Sequence, residues 1–136
     1  MRVLIDTCIS LDFIQRRDPF FEDAKKVFMA MVTENLEGCI TVKSLTDIYY
    51  VTKHILHDEV SVRTIMENLL AIVKPEDSLA YDAICALSSD MNDFEDALMA
   101  ISAKTLKVDY IFTRNIKDYK YSPVKPILPK DLLNRL

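Results

Sequence analysis

The sequence predicts an α/β protein built on a mostly parallel sheet with helices on both faces. Three observations carry this. Short apolar strand candidates alternate with helical patterns along the whole chain. Several of those strands are nearly continuous apolar runs, as in strands buried on both faces. Polar residues, many of them carboxylates, collect where strands end and helices begin. At 136 residues the chain predicts a single domain, 1–136, able to bury a core without disulfides or metals as staples. With one glycine and no Gly/Ser-rich or Pro-rich tract, nothing reads as a linker, and there is no internal repeat.

The elements follow in order. "RVLI" is a β-branched apolar run closed by "DTC", a buried strand followed by turn chemistry. "ISLDFIQRR" has helical spacing and is broken by "DPF", because the residue before a proline avoids the α region. From Phe21 to Leu36, the recurrence of Ala24, Val27, Phe28, Met31 and Val32 marks one face of an amphipathic helix, and Gly38 follows as its expected C-terminal stop. "CITV" (39–42) is the second strand candidate. "SLTDIYYVTKHILH" then predicts a helix with Ser44 as N-cap and Asp47 as its capping-box partner. "SVRTIMENLLAIV" predicts a further helix ending in a short strand near Ala71 to Val73, and "PEDSLAYDAICALSSD" another helix with Pro75 near its start. "DFEDALMAISAKTLK" is the strongest helical pattern, "DYIFTRN" a strand with a polar carboxyl end, and "KPILPKDLLNRL" a short strand and terminal helix.

Composition narrows the function classes. Half of the residues are hydrophobic and 28% are charged, which excludes a disordered chain. Cys8, Cys39 and Cys85 are an odd set without CxxC spacing, which argues against a disulfide framework or zinc ribbon and for a reducing, cytoplasmic setting. "MRVLID" reaches charge at Asp6, so it is no signal peptide, and no apolar run approaches membrane-spanning length. A net charge of −4 gives no broad nucleic-acid footprint; such a partner needs a local basic patch or bound cations.

Ligand sites of open α/β sheets lie beyond the carboxyl ends of the strands. Asp6 follows the first strand, Asp47 lies in the first turn of the helix after the second, Asp93 and Asp96 open the strongest helix, and Thr113 to Asp118 follow the "DYIF" strand. Carboxylates brought together there repel one another unless cations intervene, and hard oxygen ligands suit Mg²⁺ or Mn²⁺. Each acid also has a plain structural use. Asp47 serves equally as a capping-box partner of Ser44, Asp93 as an N-cap, Glu95 as a solvated first-turn acid and Asp118 as a turn residue. Asp96 borders the buried face of its helix, and Asp6, between an apolar strand and an apolar helix, is costly to bury without a partner. Asp12, Asp18, Glu22 and Asp23 read as ordinary surface charges. His54 and His57 read as exposed helix-end cations.

The segments "VLIDTCISLDFIQRRDPF", "SLTDIYYVTKH", "DFEDALMAISA" and "DYIFTRNIKDY", in that order and spacing, resemble the PIN-domain family, especially its VapC-like toxin branch. The resemblance spans nearly the whole chain. It implies a three-layer α/β/α sandwich and Mg²⁺- or Mn²⁺-dependent endoribonuclease chemistry. By position, Asp6, Asp47 and Asp96 match the family's catalytic, metal-binding acids, with Asp93 and Asp118 as further ligands. Asp47 stands where Glu is usual. Asn115 occupies a position that many members fill with Asp, and Cys8 replaces a frequent Asn. Thr7, Thr113 and Asn115 match supporting positions. The resemblance also implies a homodimer and, for a toxin, a cognate antitoxin.

The leading expectation is therefore hydrolysis of single-stranded or looped RNA, with Arg114, Lys117 and Lys120 steering phosphate or, equally, forming a solvated loop. The departures at Asn115 and Cys8 support an alternative, a catalytically weakened module acting through RNA or protein partners. A phosphatase or receiver-like protein with Asp6 as nucleophile is the third reading; it lacks the "DxDx[TV]" pattern. The aromatic and Met-bearing helices around Phe21 and Tyr49 read mainly as core.

Overall fold

The computed structural model describes residues 1–33 and 35–136. Among the described residues, five strands form one sheet in the order β3-β2-β1-β4-β5, and every neighbouring pair is parallel. The strands are β1 (Arg2–Ile5), β2 (Glu37–Thr41), β3 (Lys74–Glu76), β4 (Tyr110–Phe112) and β5 (Pro126–Ile127). The helices are α1 (Thr7–Ile14), α2 (Phe21–Val32), α3 (Val42–Leu56), α4 (Glu59–Leu70), α5 (Ala80–Leu87), α6 (Phe94–Thr105) and α7 (Pro129–Leu133), with a 3-10 helix at Ile116–Tyr119.

Strand alternation divides the core in two. Val3, Ile5, Ile40 and Phe112 point to one face, where they meet Ile9, Val27, Phe28, Ile48 and Leu132. Leu4, Cys39 and Ile111 point to the other, against Ala97, Ala100, Ala103 and Tyr119. Both faces of the sheet are thus covered, which is why its strands read as unbroken apolar runs. The result is the expected three-layer α/β/α sandwich. No helix among the described residues is long and apolar enough to cross a membrane.

Several local expectations are corrected. The helix expected over 21–36 stops at Val32, capped by Thr33, and Glu34 lies outside the described residues. Gly38 does not stop that helix; it sits inside β2, where a Cβ would come 2.5 Å from Met31 Sδ and 3.0 Å from Ile5 Cδ1. Glycine there leaves room for the Met31 side chain of α2 against the sheet. The N-cap of α3 is Thr41 rather than Ser44, its Oγ1 accepting the Ser44 N–H at 3.2 Å, so Asp47 falls beyond the first turn and is no capping-box partner. The strand expected near 71–73 is shifted to Lys74–Glu76 and contains Pro75. β3 is an edge strand, which tolerates a residue without an N–H.

Asp12 is not a surface charge. Its side chain is fully buried on α1, and the Arg114 guanidinium reaches it at 2.6 Å from Nε, with Arg17 Nη1 at 3.9 Å. Arg114 also lies 4.1 Å from the centroid of the Phe20 ring. Burial raises the Asp12 pKa, and Arg114 opposes that rise. The pair fixes the start of the turn after β4 to α1.

Two stability predictions follow from this packing. Gly38→Ala forces the flexible end of Met31 out of its place and lowers unfolding free energy by about 1 kcal/mol in urea titration. Asp12→Ala strands the Arg114 charge and costs about 3 kcal/mol. The Asp12→Ala/Arg114→Ala double variant loses less than the sum of the single losses if the pair couples as described.

Candidate active site

β1 is the central strand, and Asp6 is the first residue past its end. Its backbone N–H continues the ladder by donating to Phe112 O at 3.0 Å. Its backbone also opens α1 as the N-cap, but its carboxylate makes no capping bond. That leaves the side chain available to the cleft. The β1–β4 register, with Ile5 opposite Phe112, puts Thr113 beside Asp6, and Thr113 Oγ1 donates to Asp6 Oδ2 at 2.6 Å. Thr113 is itself held by the Asn115 backbone N–H, which donates to Oγ1 at 3.0 Å. The Cys8 thiol donates to the same Asp6 oxygen at 3.5 Å. Burial, then Asp6, pushes the Cys8 pKa up to about 11, so the sulfur keeps its proton as a donor. Thr7 begins α1 beside Asp6 and is partly exposed.

α6 supplies the facing acid. Asp93 is its N-cap, accepting the Asp96 N–H at 3.0 Å, and this fixes the first turn that carries Asp96. Burial pushes the Asp96 pKa up to about 6, reinforced by negative charge from Asp93, Asp6, Asp118 and Glu95 in that order. Asp93, Asp96 and Asp118 line one cleft with Lys117, Lys120 and Tyr121. Asp118 and Lys117 are exposed on the 3-10 helix.

Tyr119, on the same 3-10 helix, is nearly fully buried, and its hydroxyl lies against Asp96 without a well-aligned hydrogen bond. Burial and the nearby charges of Asp6 and Asp96 hold its pKa above the ordinary phenol value.

The second expected acid stands apart. Asp47 Oδ2 is held at 2.5 Å by Lys43 Nζ, one helical turn earlier, and the same ammonium reaches Glu95 Oε1 on α6 at 2.7 Å. Asp47 is therefore linked through Lys43 to Glu95 on α6 and does not line the cleft of Asp93, Asp96 and Asp118. The sequence reading passed over Lys43, although its i,i+4 spacing to Asp47 is a recognised pairing signal. It also passed over Tyr119, whose aromatic character reads only as core. Arg114 is committed to Asp12, whereas Lys117 forms no ion pair among the described residues. His54 and His57 are exposed at the end of α3, their ring centroids 6.0 Å apart.

Among the described residues, no three His, Cys, Asp or Glu side chains form a closed metal-ligand set. The donor chemistry still fits one kind of ion. Asp6 and Asp96 offer hard oxygens, repel each other and lack a lysine or arginine between them. A small divalent cation that uses one or two carboxylates and keeps several waters needs no closed protein cage.

Comparison with known proteins agrees with this architecture. A search of curated proteins gives no match. Among solved structures, the chain is similar to VapBC2 from Rickettsia felis, bound to a fragment of promoter DNA: 16% identity, 94% of this chain and 98% of that one, TM-score 0.66. It is also similar to a toxin–antitoxin complex from Klebsiella pneumoniae: 20% identity, 93% and 97% coverage, TM-score 0.67. A third is VapC20 from Mycobacterium tuberculosis, a Sarcin-Ricin loop cleaving toxin: 14% identity, 91% and 99% coverage, TM-score 0.67. Identities this low speak to the fold. The family model for the PIN domain matches residues 2–117, most of the chain, and this protein belongs to the PIN-domain family.

Proposed function

We infer that this protein is a divalent-metal-dependent endoribonuclease that hydrolyses RNA phosphodiester bonds with Mg²⁺ or Mn²⁺. What supports this reading is the acidic cleft lined by Asp93, Asp96 and Asp118, with Asp6 near enough that its negative charge adds to the rise of the Asp96 pKa, and with no ion pair to Asp6 or Asp96 among the described residues. The chemistry a divalent cation supplies at such a site is charge stabilisation of a phosphodiester and generation of a water nucleophile.

The chain's own residues divide the remaining work. Asp6 and Asp96 hold the cation, with Asp93 and Asp118 adding negative charge at the cleft. Thr113 and Cys8 fix one oxygen of Asp6 and so aim the other. Asp47, paired with Lys43, would join them only on losing that ion pair. Lys117, exposed at the cleft, contacts phosphate; Arg114 acts on RNA only indirectly, through the turn it anchors. Asn115 supports Thr113 through its backbone, a task indifferent to the Asn-for-Asp exchange at that position.

The relatives' printed descriptions, toxins and toxin–antitoxin complexes, support the further proposal that this chain is the toxin of such a pair, acting in the cytoplasm as a homodimer. Apolar surface for these partners exists. A groove of about 530 Å³ runs beside Phe13, Phe21, Met29 and Leu69. Tyr50, Ile55 and Val60 are exposed on or beside α3 and α4.

One observation favours the second reading, a catalytically weakened module. Lys43 already neutralises Asp47 and Glu95, which removes one carboxylate from the cation's reach. Titration with Mn²⁺ separates the two readings, because a competent site stabilises the folded state.

The expected outcomes are these. Cleavage of a mixed RNA pool with Mn²⁺ falls by at least about a hundredfold in Asp6→Asn, while circular dichroism shows the fold retained. Equal cleavage by both proteins, or none by either at high enzyme, counts against the nuclease. The second outcome concerns pH. Asp96 has a folded pKa above its unfolded value, so metal-free stability declines as pH rises from about 4 through about 6. Asp96→Asn therefore raises Tm at pH 7.5 without metal. Mn²⁺ raises the wild-type Tm at pH 7.5 but little at pH 5, where protons occupy Asp96, and has no such effect on Asp96→Asn.

A further inference from the structure

Tyr121 is placed unlike the aromatic residues of the core. It lines the same cleft as Asp93, Asp96 and Asp118, yet 60% of it is exposed. Its neighbour Tyr119, two residues earlier, is buried. Lys120 Nζ stands 5.3 Å from the Tyr121 ring centroid. Neither Lys120 nor Lys117 forms an ion pair among the described residues. The lip of an acidic cleft thus presents an exposed aromatic ring, with Lys120 over one of its faces, and two ammonium groups without carboxylate partners.

We propose that Tyr121 is a base-stacking platform, so that the site binds an unpaired RNA strand with one nucleobase on the Tyr121 ring and the neighbouring phosphates on Lys117 and Lys120. This rests on the nuclease reading above and names its substrate class. An aromatic face accepts any base, whatever its sequence, and ammonium groups follow the backbone. A paired strand cannot comply, because its bases are already stacked and its edges alone are presented. Size points the same way. The cleft holds about 120 Å³, below the roughly 300–1,000 Å³ of sites that enclose a small organic ligand. The cleft therefore takes a phosphate and its cation, and the base lies on the lip, where Tyr121 is. Lys120 lies over one face of the ring, a cation–π contact that leaves the opposite face for a base.

The test is fluorescence anisotropy in Ca²⁺ with a labelled unpaired RNA of about 12 nucleotides and with the same strand in a duplex. Tyr121→Ala is expected to weaken binding of the unpaired strand about tenfold, with Tyr121→Phe within about twofold of wild type. Duplex binding is weaker for every protein and insensitive to position 121. Because Tyr121 is exposed, the variants keep the wild-type Tm, which a thermal melt verifies. Unchanged binding by Tyr121→Ala, or an equal loss in Tyr121→Phe, overturns the platform. If wild type still cleaves RNA in that case, only the platform fails; if wild type binds neither RNA form and cleaves none, the nuclease reading fails with it.

Discussion

A carboxylate at 9% exposure, at the end of the central strand, is the constraint from which the site is built. Burying such a group is expensive without hydrogen bonds to the charged form. Asp6 receives two, from Thr113 and Cys8, and both donors arrive through the fold itself. Thr113 is delivered by the parallel register of β4 on β1, and Cys8 by the first turn of α1. Both bonds go to one oxygen, Oδ2. The other oxygen, Oδ1, accepts no side-chain hydrogen bond among the described residues. Sheet order, register and helix start thus converge on the orientation of one side chain.

Asp96 opposes that arrangement, and the opposition is informative. A fold selected for stability alone has no use for a second, half-buried acid facing the first; an asparagine would hold the same capped turn without repulsion. The cost lies in the Asp96 pKa, pushed up to about 6 by burial and by the neighbouring acids. Strain of this kind, retained at the carboxyl ends of parallel strands, is expected where a cation relieves it. At the α3 edge the chain solves the same problem internally, with Lys43 set between Asp47 and Glu95. The contrast between the two solutions marks Asp6 and Asp96 as the pair left open.

Much of this could be read from the residues because it depends on periodicity. The apolar runs of β1 and β4 reflect burial on both faces, Asp93 behaves as an N-cap must, and Asp96 borders its helix's buried side as the spacing of Ala97 and Ala100 requires. What escaped depends on tertiary contact. Gly38 carries the local signature of a helix stop, but its actual role comes from Met31 and Ile5 pressing on it. Pro75 reads as a helix start until the sheet makes its strand an edge. Thr41 outcompeted Ser44 as a cap because β2 runs directly into α3 without a loop. Asp12 resembles any helix acid, and only Arg114, far along the chain, reveals it as buried. The same pairing removes Arg114 from the set of cations available to a substrate.

That removal sharpens the electrostatics. An acidic chain with a net charge of −4 is a poor general partner for RNA. At physiological ionic strength, however, exposed charges beyond roughly 8 Å are largely screened, so a strand at the cleft responds to nearby groups rather than to the total. Those groups are the acids of the cleft and Lys117 and Lys120 at its rim. With the acids uncompensated, a phosphate is repelled from the floor and attracted only at the rim. On the nuclease reading, a divalent cation held by Asp6 and Asp96 would reverse the sign at the floor, so that rim and floor act together. On that reading cation and RNA would bind cooperatively, each weak without the other.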